Sequence, residues 1–181
     1  MRPLILSLAL GLMLAASATA AQVEAPAGYR MDAYRAPVPD HVPGGRVVGV
    51  TEAHALHTSG GAVFIDVIGA TRHDLGDGAV TWTRPTPREN IPGSVWLPNT
   101  GKGALAPASE AWLRRHLDRL TTEHPGTPLL FYCQADCWMS WNAAKRAASW
   151  GYGPVLWFPA GTDDWAAAGL PLAPATPAPW P

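Results

Sequence analysis

Three short runs of β-forming residues dominate what this chain can fold into: 62–67 (Ala-Val-Phe-Ile-Asp-Val), 128–133 (Pro-Leu-Leu-Phe-Tyr-Cys) and 154–158 (Pro-Val-Leu-Trp-Phe). They are apolar at almost every position rather than at alternate ones, so both faces of each strand are covered. Segments of helical period lie between them. Thr51 reads as the cap of a short helix over 52–56, and Ser109 as the cap of one in which Leu113, Leu117 and Leu120 recur at helical spacing. Residues 140–149 read as a helix with Trp141, Ala144 and Ala148 on one side, and Thr162 or Asp163 caps a last helix around Trp165. Short strands at 46–50 and between Pro92 and Pro98 complete the set, while 68–90 reads as a surface excursion without a regular element. Strands alternating with helices at these intervals predict an α/β fold, a small, mainly parallel sheet with helices on both faces.

The flanks differ in kind. Residues 1–20 carry a basic start at Arg2, an apolar run over 4–16 and the small-residue ending Ala18-Thr19-Ala20, the pattern of a secretory signal peptide cut after Ala20. The apolar run is shorter than the ~20 residues a membrane-spanning helix needs, so a periplasmic protein with no membrane span after signal removal is expected. Removing 20 of the 181 residues leaves 161, the size of one domain. Arg2 leaves with the signal, taking the formal charge from −1 to −2 and arguing against a nucleic-acid partner. Residues 21–45 form a Pro/Ala/Gly-rich arm, 46–172 the domain, and 173–181 a Pro-rich tail in which no helix is possible.

The two cysteines, Cys133 and Cys137, are four residues apart at the end of a predicted strand. A crosslink over so short a loop removes little entropy from the unfolded chain, so reactivity or ligand binding explains the pair better than stabilisation. Cys133 is expected at the carboxyl end of a parallel strand, just before a helix, where converging amides and the helix N-terminus would ease thiol ionisation. Cys133 and Cys137 are therefore the candidate catalytic residues, and Gln134, Ala135, Asp136, Trp138, Met139 and Ser140 the candidate binding loop. The bland alternatives are a small buried hydrophobe at 133 and a spectator at 137. Trp138 and Trp141 read as wall residues, with a stacking platform for a planar ligand as the other possibility.

Phe64-Ile65-Asp66-Val67, Ile91-Pro92-Gly93-Ser94, Leu130-Phe131-Tyr132-Cys133 and the stretch from Gly151-Tyr152 through Ala160-Gly161 and Trp165 to Ala168-Gly169-Leu170-Pro171 resemble, in order, the landmarks of a rhodanese-like domain. The stretch 133–147, with Trp96-Leu97-Pro98-Asn99 and Gly161-Thr162-Asp163-Asp164-Trp165, resembles more closely the small rhodanese-like family named for a Cys…Cys-Trp motif and associated with pyrroloquinoline-quinone (PQQ)-dependent alcohol catabolism. That resemblance implies a periplasmic accessory of a quinoprotein dehydrogenase. Departures accompany it. Cys133 to Ser140 takes seven steps where the family takes six, Ile68 stands where the family has arginine, and Asp136 adds a negative charge to the loop. Met139 occupies the place of a phosphate-gripping arginine, which argues against phosphatase activity.

Three functions remain open from sequence. Cys133 could accept sulfane sulfur from a small donor as a persulfide, as a sulfurtransferase does, and pass it to a thiol acceptor with Cys137 resolving. The two thiols could instead cycle as a dithiol–disulfide couple or hold a soft metal such as Cu(I). A non-catalytic partner that docks a quinoprotein or PQQ through its tryptophans is the third.

Overall fold

The computed structural model describes residues 23–180. In chain order it contains β1 (Arg46–Val47), α1 (Val50–Ser59), β2 (Val63–Asp66), β3 (Thr71–Gly76), β4 (Ala79–Thr83), β5 (Glu89–Asn90), β6 (Val95–Trp96), α2 (Pro107–Glu123), β7 (Leu129–Tyr132), α3 (Trp138–Ser149), β8 (Val155–Phe158), α4 (Gly161–Ala167) and β9 (Ala173–Pro174). Five strands form a parallel sheet in the order β1-β8-β7-β2-β6. The α/β class with a parallel sheet is as expected. The predicted signal segment lies outside the described residues, and among these no helix is long and apolar enough to cross a membrane.

Two cores follow from the alternation of side chains along the central strands. Leu129, Phe131 and Cys133 with Val155 and Trp157 face α2 and α3, packing on Leu113, Leu117, Leu120, Trp141 and Ala144. Leu130, Tyr132, Leu156 and Phe158 with Phe64 face the other way, onto Ala53 of α1 and Trp165 of α4. Both faces are thus buried, which is why these runs lack a polar phase.

Several elements depart from the sequence reading. Residues 71–83 form an antiparallel hairpin, not irregular chain, around Asp77-Gly78, both at positive φ (49° and 79°). An Asp-Gly pair of that conformation matches the right-handed twist of a two-stranded ribbon. Helix α1 starts at Val50, one residue before Thr51, and α2 at Pro107, where a missing N–H costs nothing, so neither Thr51 nor Ser109 is a cap. The caps of α3 and α4 are Cys137 and Ala160. The Pro-rich tail, free of helix, is docked on the domain: β9 pairs with β5, Ala178 N–H donates to Trp96 O (2.8 Å), and Trp180 lies 4.9 Å from Trp112, ring to ring.

Candidate functional site

Strand β7 ends at Tyr132 and α3 begins at Trp138, so residues 133–137 turn the chain from the sheet edge into the helix. Cys133 takes the inward phase after Leu129 and Phe131, and Cys137 is the residue that caps α3. Their Cα atoms are 6.3 Å apart and the sulfurs are joined as a disulfide. Cys133 is 0% exposed and Cys137 5%. This corrects the expectation of an open, cradled thiolate at 133. Strand alternation carries that sulfur into the core, and the first amide of α3, Trp138 N–H, donates to Tyr34 O at 2.9 Å instead of facing it.

The rest of the predicted loop has other work. Gln134 pairs by backbone with Gly161, and Ala135 is half-buried. Asp136 is exposed at φ 51°, so its carboxylate stands at the surface and not inside the turn. Ser140 is fully buried; its hydroxyl donates to Cys137 O (2.9 Å) and accepts from Trp157 Nε1 (3.0 Å), so its one proton is committed inside the fold. Met139 lines a surface cavity.

An N-terminal arm, read from sequence as extended chain, is strapped across this turn. Arg35 bridges antiparallel to Cys137, and Ala36 N–H donates to Asp136 O at 3.0 Å. One stripe of α3, spaced i, i+3, i+4, i+7, donates into the arm's backbone. Trp138 Nε1 reaches Pro37 O (3.0 Å), Trp141 Nε1 His41 O (2.9 Å), Asn142 Nδ2 Arg30 O (2.8 Å), and Lys145 Nζ the carbonyls of Pro26, Ala27 and Gly28 (3.0, 2.7 and 2.7 Å). Arg30 N–H returns a bond to Asn142 Oδ1 at 2.9 Å. Trp138 and Trp141, read from sequence as wall residues, are buried at 2% and 0% exposure and also serve as a clasp.

Beneath the turn lies an ion pair the sequence reading missed. Asp66, last residue of β2, is 0% exposed and accepts from Arg88 Nε at 2.7 Å and from Ile68 N–H at 3.0 Å. Burial pushes its carboxyl above the ordinary range, opposed by Arg88 beside it. Arg88 also reaches Cys133 O (3.1 Å) and Thr162 Oγ1 (3.4 Å), and Thr162 donates to Cys133 O from both N–H and hydroxyl (3.2 Å each). Arg88 arrives from the segment that follows the hairpin, immediately before β5. A lone Asp in an apolar run was the available signal, since a fully buried carboxylate demands a cation. Gly161, at φ 52°, lets α4 start against this turn: a Cβ there would stand 2.7 Å from Cys133 C and O.

Among the described residues no group of three or more His, Cys, Asp or Glu side chains could hold a metal ion, so a soft metal would find no third ligand of that kind beside the sulfur pair.

No family model matches the sequence, and no curated protein matches it. A solved chain from Rhodopseudomonas palustris, described as a protein of unknown function and possible tyrosine phosphatase, is 24% identical, with a TM-score of 0.44 over 71% of this chain and 85% of that one. The resemblance to a rhodanese-like domain, and to its Cys…Cys-Trp subgroup, is thereby corrected: the short matching segments do not amount to membership. The link to quinoprotein alcohol oxidation rested on that resemblance alone.

Proposed function

We propose that the protein is an exported thiol–disulfide redox protein whose working couple is Cys133–Cys137. The observation that carries this reading is the disulfide itself, formed by the chain's two cysteines across a separation of four residues at the start of a helix. Closing so short a loop offers a fold little stability, so exchange chemistry accounts for it better than reinforcement. Export, proposed from residues 1–20, would supply a compartment in which such a bond persists.

The step is a balanced exchange. A substrate thiolate attacks Cys137 Sγ, the more accessible sulfur; the disulfide breaks, and its electron pair passes to Cys133 Sγ, which takes up a proton. A second substrate thiolate then attacks the mixed disulfide, releasing Cys137 as thiolate and leaving the substrate oxidised by two electrons. Access would require residues 34–36 of the arm to lift from 136–138, a local opening that breaks the Trp138 N–H to Tyr34 O and Ala36 N–H to Asp136 O bonds.

Persulfide formation fits less well, because it needs Cys133 to face a donor and that sulfur is buried against Cys137.

The test uses the full mature chain carrying Cys133→Ser. Incubated with glutathione disulfide under native conditions, it should trap glutathione on Cys137 as a stable mixed disulfide seen by intact mass. Absence of that adduct in native protein, with its appearance only after denaturation, would overturn the reading.

A further inference from the structure

We propose that Arg84 and Lys102 form a binding site for a small oxyanion, in a cavity separate from the disulfide and independent of the thiol chemistry. The cavity, about 340 Å³, is walled by the chain leaving β2 (Gly69, Ala70), the base of the hairpin (Thr71, Thr83, Arg84), the turn after β6 (Asn99, Lys102) and Met139 in the first turn of α3. It therefore opens at the carboxyl ends of parallel strands, where ligands of such sheets gather.

Its charge is unbalanced. No carboxylate lines it, and neither Arg84 nor Lys102 makes an ion pair among the described residues. Arg84 makes one hydrogen bond there, from Nη1 to Gly69 O. Its Nε is buried without any partner. Nε and Nη2 together form the side edge of the guanidinium, the fork that grips two oxygens of one oxyanion, and this is the edge left unengaged. A buried donor without an acceptor is costly, and a bound oxygen removes that cost.

The neighbouring carboxylate is already paired. Arg88 faces a smaller cavity, about 230 Å³, on the other side of Arg84, but its Nε is committed to Asp66. Asp66 attracts both guanidiniums but hydrogen-bonds Arg88 alone, so Arg84 has no carboxylate in contact with it. The walls are preset: Asn99 Oδ1 accepts from Ala70 N–H (3.3 Å) and Asn99 Nδ2 donates to Ala70 O (2.6 Å), fixing the turn that carries Lys102.

The full mature chain is titrated with sodium sulfate, sodium phosphate and sodium acetate at ionic strength held constant with sodium chloride, following the backbone amide resonances of Gly69, Ala70, Asn99 and Lys102, which every variant retains. A saturable shift with at least one anion is expected, the tetrahedral and carboxylate arms identifying which oxyanion fits. Arg84→Gln should weaken that affinity about tenfold or more, as loss of a bidentate charge-assisted contact does. Lys102→Gln, a change at an exposed side chain that leaves the fold intact, should weaken it a few-fold. Chloride-like behaviour of all three anions, or unchanged affinity in both variants, would overturn the proposal.

Discussion

The guanidinium of Arg88 joins two strand ends: its Nη2 donates to the carbonyl of Cys133 at 3.1 Å while its Nε holds Asp66 at 2.7 Å. The backbone of the disulfide turn is thereby anchored to the carboxyl end of β2. Removing Arg88 would leave a buried carboxylate without its cation and strip one donor from Cys133 O. Arg88→Met should cost about 3–5 kcal/mol, the scale of breaking one side of a buried pair. Urea unfolding measures it, and Asp66→Asn added to Arg88→Met should recover part of the loss.

The same carboxylate gives a pH signature. Burial raises the folded-state pKa of Asp66 above the ordinary 3.8, so in the window from 3.8 upward the folded protein binds more protons than the unfolded chain. Its contribution is fully present below that ordinary value and is lost as pH rises through the raised one. The difference in unfolding free energy between the wild type and Asp66→Asn, followed over mild acid, should therefore shift against the wild type as pH rises. A difference flat across that window would show the carboxyl unperturbed.

Lys145 ties three successive carbonyls of the arm, those of Pro26, Ala27 and Gly28. Lys145→Met keeps the stem and removes the donors. Limited proteolysis should then cut within 24–32 several-fold faster, with little change in the melting of the sheet. Because the arm also covers the turn at residues 34–36, reduction of the disulfide by dithiothreitol should accelerate in the same variant.

If the crosslink is a redox device rather than a brace, the fold should tolerate its loss. A five-residue loop is worth roughly 2 kcal/mol in the chain-entropy account. The double variant Cys133→Ala, Cys137→Ala should fold with a deficit of that size or less, measured against the oxidised wild type in urea. A deficit several times larger would mark a brace.

The sheet was legible because β2, β7 and β8 are apolar on both phases, a pattern that needs no partner residues to interpret. The hairpin was not: every residue of β3 is exposed, so the first strand carries no apolar alternation, and the signal lay only in Asp77-Gly78 and in Val80 and Trp82 alternating with threonines along β4. The cysteine turn was placed correctly at a strand end, but whether position 133 faces solvent depends on its phase in β7 and on the arm above it. The arm's role was hidden for another reason. Donors such as Trp138, Asn142 and Lys145 are visible in sequence, whereas their acceptors are backbone carbonyls of a Pro-rich segment and carry no residue signature. Arg84 and Arg88 sit among prolines in a stretch read as a loop, and only the lone Asp66 in its apolar strand called for one of them.

As a redox couple, Cys133 and Cys137 must exchange with external thiols while the protein stays folded. The direct measurement equilibrates native protein in buffers of graded thiol-to-disulfide ratio, alkylates free thiols and weighs the intact chain. A single two-electron transition is expected, two alkyl groups per reduced chain, at a potential above the roughly −300 mV that marks inert structural disulfides. A bond that stays unreduced in every buffer until the protein is unfolded would contradict it.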